Sequence, residues 1–194
     1  MRSTRKLRGA SGFSMIEVLV TLVILLLGLL GLVGMMLMSQ QAEMESYQRS
    51  QALLLLQDMV GRINVNRSVA PCYAFTTDPI AGTPYLGVDS SALPTCSLGS
   101  VQAYTLADSD FAAWDALLKG SSEKSGTTSL GAMIGARGCV SFDAASGVYL
   151  VSVAWMGSRK TAAPAASLGC GSGLYGDEAQ RRVVSINLQI ANLN

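Results

Sequence analysis

The chain has 194 residues, room for one domain plus an N-terminal segment, and only 14% of its side chains are charged against 49% apolar. Its 14 Lys and Arg nearly balance 13 Asp and Glu, and four of the basic residues, Arg2, Arg5, Lys6 and Arg8, crowd into the extreme N-terminus. The remainder is slightly acidic and offers a nucleic acid no electrostatic footprint, while the absence of histidine removes the usual imidazole base and most nitrogen-ligand zinc sites.

Residues 18–38 carry no charge, and Thr21 is the one ordinary polar side chain among them. As a helix this stretch rises roughly 31 Å, at about 1.5 Å per residue, which matches the hydrocarbon thickness of a bilayer. Four cations precede it and none follows until Arg49, so the positive-inside rule predicts a cytoplasmic N-terminus and a body outside the cytoplasm. A cleaved secretory signal fits poorly, because the run is long and passes into MMLMSQQAEMESYQ without a small-residue cleavage site.

The helical pattern continues from Ser39 to about Asn64, free of proline and with one late glycine, Gly61. Met44, Tyr47, Leu54 and the neighbouring leucines are read as its apolar stripe, so one helix runs first through lipid and then along a globular domain. Gly28, Gly31 and Gly34 permit close helix approach in the lipid-borne half, although their spacing is not GxxxG. Glu17 stands at the edge of the apolar run, where a carboxylate is expensive unless it reaches the interface or meets a cation. Two readings are open: the side chain snorkels among head groups, or it pairs with a free α-amino group on a neighbouring subunit. The second requires a cut just before Phe13, which also removes the four leading positive charges.

Beyond the helix, Pro71, Pro79, Pro84 and Pro94 mark a turn-rich stretch. Asp108 is expected to cap a short helix, SDFAAWDALLKG, in which Phe111, Trp114, Leu117 and Leu118 recur at helical spacing and Gly120 is the stop. SSEKSGTTSLGAM reads as a flexible connection. From Gly138 the period becomes two: GCVSFD and VYLVSVAWMG form a hairpin about Ala145-Ser146-Gly147, and RRVVSINLQIAN supplies a third strand after a loop over residues 158–173. The second half of the long helix is expected to cover this sheet, giving an α+β class. Trp155 is assigned to packing.

Four cysteines, Cys72, Cys96, Cys139 and Cys170, form no CxxC pair. They read as two disulfides in an oxidising compartment, with three connectivities open and short local loops favouring Cys72–Cys96 and Cys139–Cys170; free buried thiols would need a cytoplasmic body. No catalytic residue, metal site or cofactor is expected. A triad lacks its histidine, GCGSG at Gly169–Gly173 lacks the lysine of a phosphate loop, and Asp177-Glu178 reads as solvated surface.

Gly12-Phe13-Ser14-Met15-Ile16-Glu17, after a basic leader and before a long apolar run, resembles the class III signal of type IV pilins and pseudopilins. The stretch GFSMIEVLVTLVILLLGLLGLVGMMLMSQ, Gly138-Cys139 before a strand, Val151-Ser152-Val153-Ala154-Trp155, the segment around Cys170 and Arg181-Arg182-Val183-Val184 are similar to PilV-type minor pilins, the type IV pilus modification proteins. The resemblance implies that a prepilin peptidase cuts after Gly12 and methylates Phe13, and that Glu17 pairs with the amino group of an adjacent subunit during assembly. It divides the chain into a leader at 1–12, an assembly half-helix at 13–38, an amphipathic half at 39–66 and a pilin-like head at 67–194. It implies an inner-membrane protein with a periplasmic head that then passes to a pilus fibre. Its partners would be the peptidase, other minor pilins, the major pilin and the inner-membrane assembly machinery. A major pilin often ends with a disulfide-bounded loop, whereas 24 residues follow Cys170 here, which disfavours a major-subunit role. A minor pseudopilin of a type II secretion system shares the same N-terminal physics, and an unprocessed membrane-anchored binding module is the third possibility.

Overall fold

The computed structural model describes residues 12–122, 124–125, 128–129 and 133–191. The four basic residues of the expected leader lie outside them. The chain divides into two compact units, with the boundary between Glu43 and Met44. Helix α1, Met15–Val65, contributes to both.

In the first unit every residue from Gly12 onward is exposed, and α1 contains an 18-residue window of mean hydropathy 2.9 with no part buried. Leaving one large apolar side chain in water costs about 2 kcal/mol. A helix apolar on every side therefore requires lipid or other apolar helices around it. It is long and apolar enough for a single membrane crossing.

The second unit is α+β. Its four-stranded antiparallel sheet has the order β1-β4-β5-β6, formed by Leu86–Gly87, Arg137–Asp143, Val148–Met156 and Arg181–Gln189. The expected hairpin is present, with Cys139 opposite Ser152 and Val140 opposite Val151, and the chain turns where the Gly147 N–H bonds the Asp143 carbonyl. β6 runs along β5 from Met156↔Arg181 to Val148↔Gln189. β1 is a two-residue edge strand inside the proline-marked stretch, which reads in sequence as loop or short edge elements; two residues are too few to display a period. The connection expected to be flexible holds a short two-stranded ladder, β2 at Lys124–Ser125 with β3 at Thr128–Ser129.

Alternation assigns the faces. Val140, Tyr149, Val151, Val153, Trp155 and Val184 belong to the main core, with the later part of α1 and with α3, Val101–Leu118. On the other face Cys139, Ala154, Cys170 and Tyr175 form a second cluster. The covering stripe of α1 is Gln48, Ala52, Leu56, Met59 and Ile63. This corrects the expected stripe: Met44, Tyr47 and Leu54 are 60%, 53% and 65% exposed. Leu53-Leu54-Leu55-Leu56 places leucines around the whole circumference, so only contact with the sheet fixes which of them turn inward.

α3 begins earlier than expected. Ser100 caps it by accepting from the Ala103 N–H, and Asp108 instead accepts from the Cys96 N–H. Trp114 of α3 joins three elements: its indole N–H donates to the Leu55 carbonyl of α1 at 2.9 Å, and its ring lies on β4 at Gly138. A Cβ on Gly138 would stand 2.2 Å from Trp114 Cη2 and 2.8 Å from Leu118 Cδ1. Polar links reinforce the same layer. Arg62 reaches Asp58 and Asp110, each at 2.7 Å, and Asp110 accepts from the Tyr73 hydroxyl of the short helix α2, Ala70–Tyr73. Asp115 holds the Gly87 N–H at 2.8 Å and pairs with Lys119, fixing β1 to α3.

Replacing Gly138 by alanine should lower stability by about 1–3 kcal/mol through overpacking, read from the denaturant midpoint of the full chain in detergent. A second expectation concerns alkali. Burial, then the hydrogen bond to Asp110, raises the Tyr73 phenol above its ordinary value of 10.0. The unfolded chain releases that proton first, so this stability is fully present below pH ~10 and declines as pH rises through the folded value. Tyr73→Phe should make the alkaline decline shallower at the cost of a lower plateau near neutrality, as measured by midpoints across pH 8–12.

Candidate functional site

Gly12, Phe13 and Ser14 precede the first helical turn without regular structure. Phe13 is 83% exposed, and nothing lies within 4 Å of a Cβ built on Gly12. Among the described residues nothing covers the Gly12–Phe13 bond, and it lies outside the helical hydrogen-bond ladder. The Ser14 carbonyl receives the Glu17 and Val18 N–H groups at 3.0 and 3.3 Å, starting the helix there.

Glu17 is the acidic residue of the first turn of α1 and is exposed. A carboxylate suits the positive end of the helix dipole. In an apolar surrounding that partial compensation falls short of a full counter-charge. Four residues on, Thr21 donates its hydroxyl proton to the Val18 carbonyl at 2.8 Å, so it presents no free donor to its surroundings. Gly28, Gly31 and Gly34 have open space where a Cβ would be, leaving shallow places where another helix backbone can approach. The segment thus combines an exposed peptide bond, one carboxylate in the first helical turn and small-residue positions along an apolar helix.

The cysteines lie in the other unit. Cys72 bonds Cys96 and Cys139 bonds Cys170, with Cα separations of 5.4 and 5.8 Å. The first closes the proline-rich stretch onto the end of α2, and the second ties the loop before β6 to β4. Among the described residues no group of three or more His, Cys, Asp or Glu is placed to hold a metal ion. Asp177 is occupied by Lys160 and the Ala179 N–H, and Glu178 by Arg181 and the Gly173 N–H. Trp155 is buried on the covered face of the sheet.

Sequence reading missed buried charges, among them Asp110 and Arg137. Asp110 falls between Ala107 and Trp114 on the buried stripe of α3, a position that itself signals a paired carboxylate. Arg137, 5% exposed, lies between the rings of Tyr85 and Tyr175 at 5.4 and 4.9 Å and reaches Asp89 at 2.7 Å. Burial, opposed in part by Arg137, raises the Tyr175 phenol. These groups bind one another and position loops.

Residues 7–33 match the family model described as the prokaryotic N-terminal methylation motif. No curated protein and no solved structure matches the chain. The motif coincides with the exposed bond, the carboxylate and the apolar helix, and the second unit carries the helix-on-antiparallel-sheet architecture. That motif, followed by an apolar helix and a helix-on-antiparallel-sheet unit, makes the chain similar to the type IV pilin-like proteins.

Proposed function

We propose that the protein is a non-catalytic minor pilin of the PilV type, held in the inner membrane with its N-terminus cytoplasmic and its second unit periplasmic. A prepilin peptidase cuts between Gly12 and Phe13 and methylates the new amino group of Phe13. Cleavage discards the basic leader, whose charges would bar the N-terminus from apolar surroundings. The processed helix then leaves lipid for a bundle of other pilin helices.

The observation that carries this reading is the coincidence of the methylation motif with an apolar helix bearing one carboxylate, Glu17, in its first turn. Attraction between opposite charges is far stronger in an apolar bundle than in water. A neighbouring subunit's α-amino group near Glu17 therefore satisfies both ions at one axial offset and leaves both uncompensated at others. Glu17 thus sets register, while the apolar side chains supply the contact. In this role the protein joins other minor pilins, the major pilin and the inner-membrane assembly machinery to initiate or modify pili, supporting adhesion or twitching motility.

Intact-mass and N-terminal peptide analysis of sheared filaments and inner membranes tests the proposal. The expected chain begins at Phe13, carries one added methyl and occurs in the sheared fraction. A chain beginning at Met1 beside an active prepilin peptidase would overturn it; a processed chain confined to membranes would leave a pilus-priming complex and a secretion pseudopilus as its two assignments. Glu17→Ala should be cut normally yet fall at least tenfold in the sheared fraction, by immunoblot against total protein.

A further inference from the structure

β6 is an edge strand: among the described residues it pairs with β5 along its nine residues and with no other strand. The Gly157 N–H bonds the Gln180 carbonyl, and the Met156 N–H bonds Ile134 on the opposite side of β5. Antiparallel alternation then turns the backbone groups of Arg182, Val184, Ile186 and Leu188 toward β5. Those of Val183, Ser185, Asn187 and Gln189 turn outward. Edge strands are ordinarily guarded by lysine, proline, a bulge or brevity. From Val183 to Gln189 this edge has no charge, proline or glycine, and Ile186 is 41% exposed.

The edge adjoins a groove. Glu45, Ser46 and Arg49 of α1 form one wall, and Trp155, Val183 and Val184 lie along the other. Glu45 is engaged by Arg182 and Ser158, whereas Arg49 makes no hydrogen bond or ion pair among the described residues. An unpaired strand edge beside a helix, with apolar depth and one uncommitted cation, has the components of a site that takes an extended chain as an added strand.

A second copy of the protein fits this edge badly. Antiparallel pairing of two β6 strands places a two-fold axis through the sheet plane. The α1 segment packed on that sheet would then run in opposite directions in the two copies. β6 of a second copy, RRVVSINLQ, also carries no carboxylate to meet Arg49, only two arginines.

We propose that the groove between α1 and β6 receives an extended segment of a different protein, antiparallel to β6. That segment is mostly uncharged and alternating, and carries a carboxylate toward its C-terminal end that pairs with Arg49. Backbone bonds to the outward groups of β6 supply adhesion, and Arg49 selects the acidic partner.

The probe is a fluorescein-labelled peptide, acetyl-Thr-Val-Thr-Val-Thr-Glu-Thr-amide, titrated by anisotropy against the full chain in detergent. Saturable binding is expected. Arg49→Glu should weaken it at least tenfold, and a probe with Lys in place of Glu should recover the loss on that variant. Ser185→Pro removes an outward N–H while leaving the β5 ladder intact, and should weaken both probes at least tenfold. A probe N-methylated on the amides facing β6 tests the same ladder without altering the protein, and should not bind. Absence of saturable binding, or binding indifferent to N-methylation and to the charge swap, would overturn the proposal. So would a dimer in detergent that Ser185→Pro dissolves, which would assign the edge to a second copy.

Discussion

The second unit depends on one contact, the Trp114 ring seated on Gly138 with its N–H on the Leu55 carbonyl. That carbonyl is already an acceptor in the α1 ladder, and its second lone pair makes the extra bond possible. The indole fastens α3, α1 and β4 together, and glycine is the residue that leaves room for it. Around this contact the aromatic core is arranged edge-on: Phe75 lies 6.5 Å from Trp114 and 5.8 Å from Phe111, and Phe111 lies 5.3 Å from Tyr73. Such edge-to-face pairs add specific geometry to burial. Fixing α1 at Leu55 also determines which of its faces meets the sheet.

α1 serves two environments. Before residue 44 its side chains have no cover among the described residues, so through residue 38 sequence need only keep the helix largely apolar and free of proline. Beyond it, one face is committed to the sheet by Gln48, Ala52, Leu56, Met59 and Ile63. The demands differ physically. Lipid and helix bundles tolerate many rotamers and settings, whereas a packed core at crystalline density admits one. In the assembly we propose, Glu17 brings discrimination to the tolerant half, because a charge enclosed by a bundle fixes register where dispersion contacts alone discriminate weakly between neighbouring settings.

Charges elsewhere in the second unit are mostly satisfied internally. Arg62, Arg137 and Arg181 each have a carboxylate partner, and each pair ties a loop or helix to the core. Arg181 also donates to the Leu168 and Cys170 carbonyls, anchoring the loop that Cys170 binds to β4. Against that background, the outer edge of β6 and Arg49 beside it are, among the described residues, without a partner in this chain.

The sequence by itself determined the features that rest on local chemistry. These were the basic leader and apolar run, the isolated Glu17, the α+β class, the β4–β5 hairpin with its Gly147 turn, and the third strand at Arg181–Gln189. Charge, hydropathy and period are properties of neighbouring residues, so they are legible without a fold. The tertiary structure decided what depends on residues far apart in the chain. The phase of α1 needed the sheet, since four consecutive leucines face every direction. β1 needed β4 and Asp115 to hold two residues extended, and the start of α3 moved to Ser100 because Asp108 is drawn to the Cys96 N–H. The edge of β6 existed only once the strand order was known, because an unpaired backbone is defined by the neighbours it lacks.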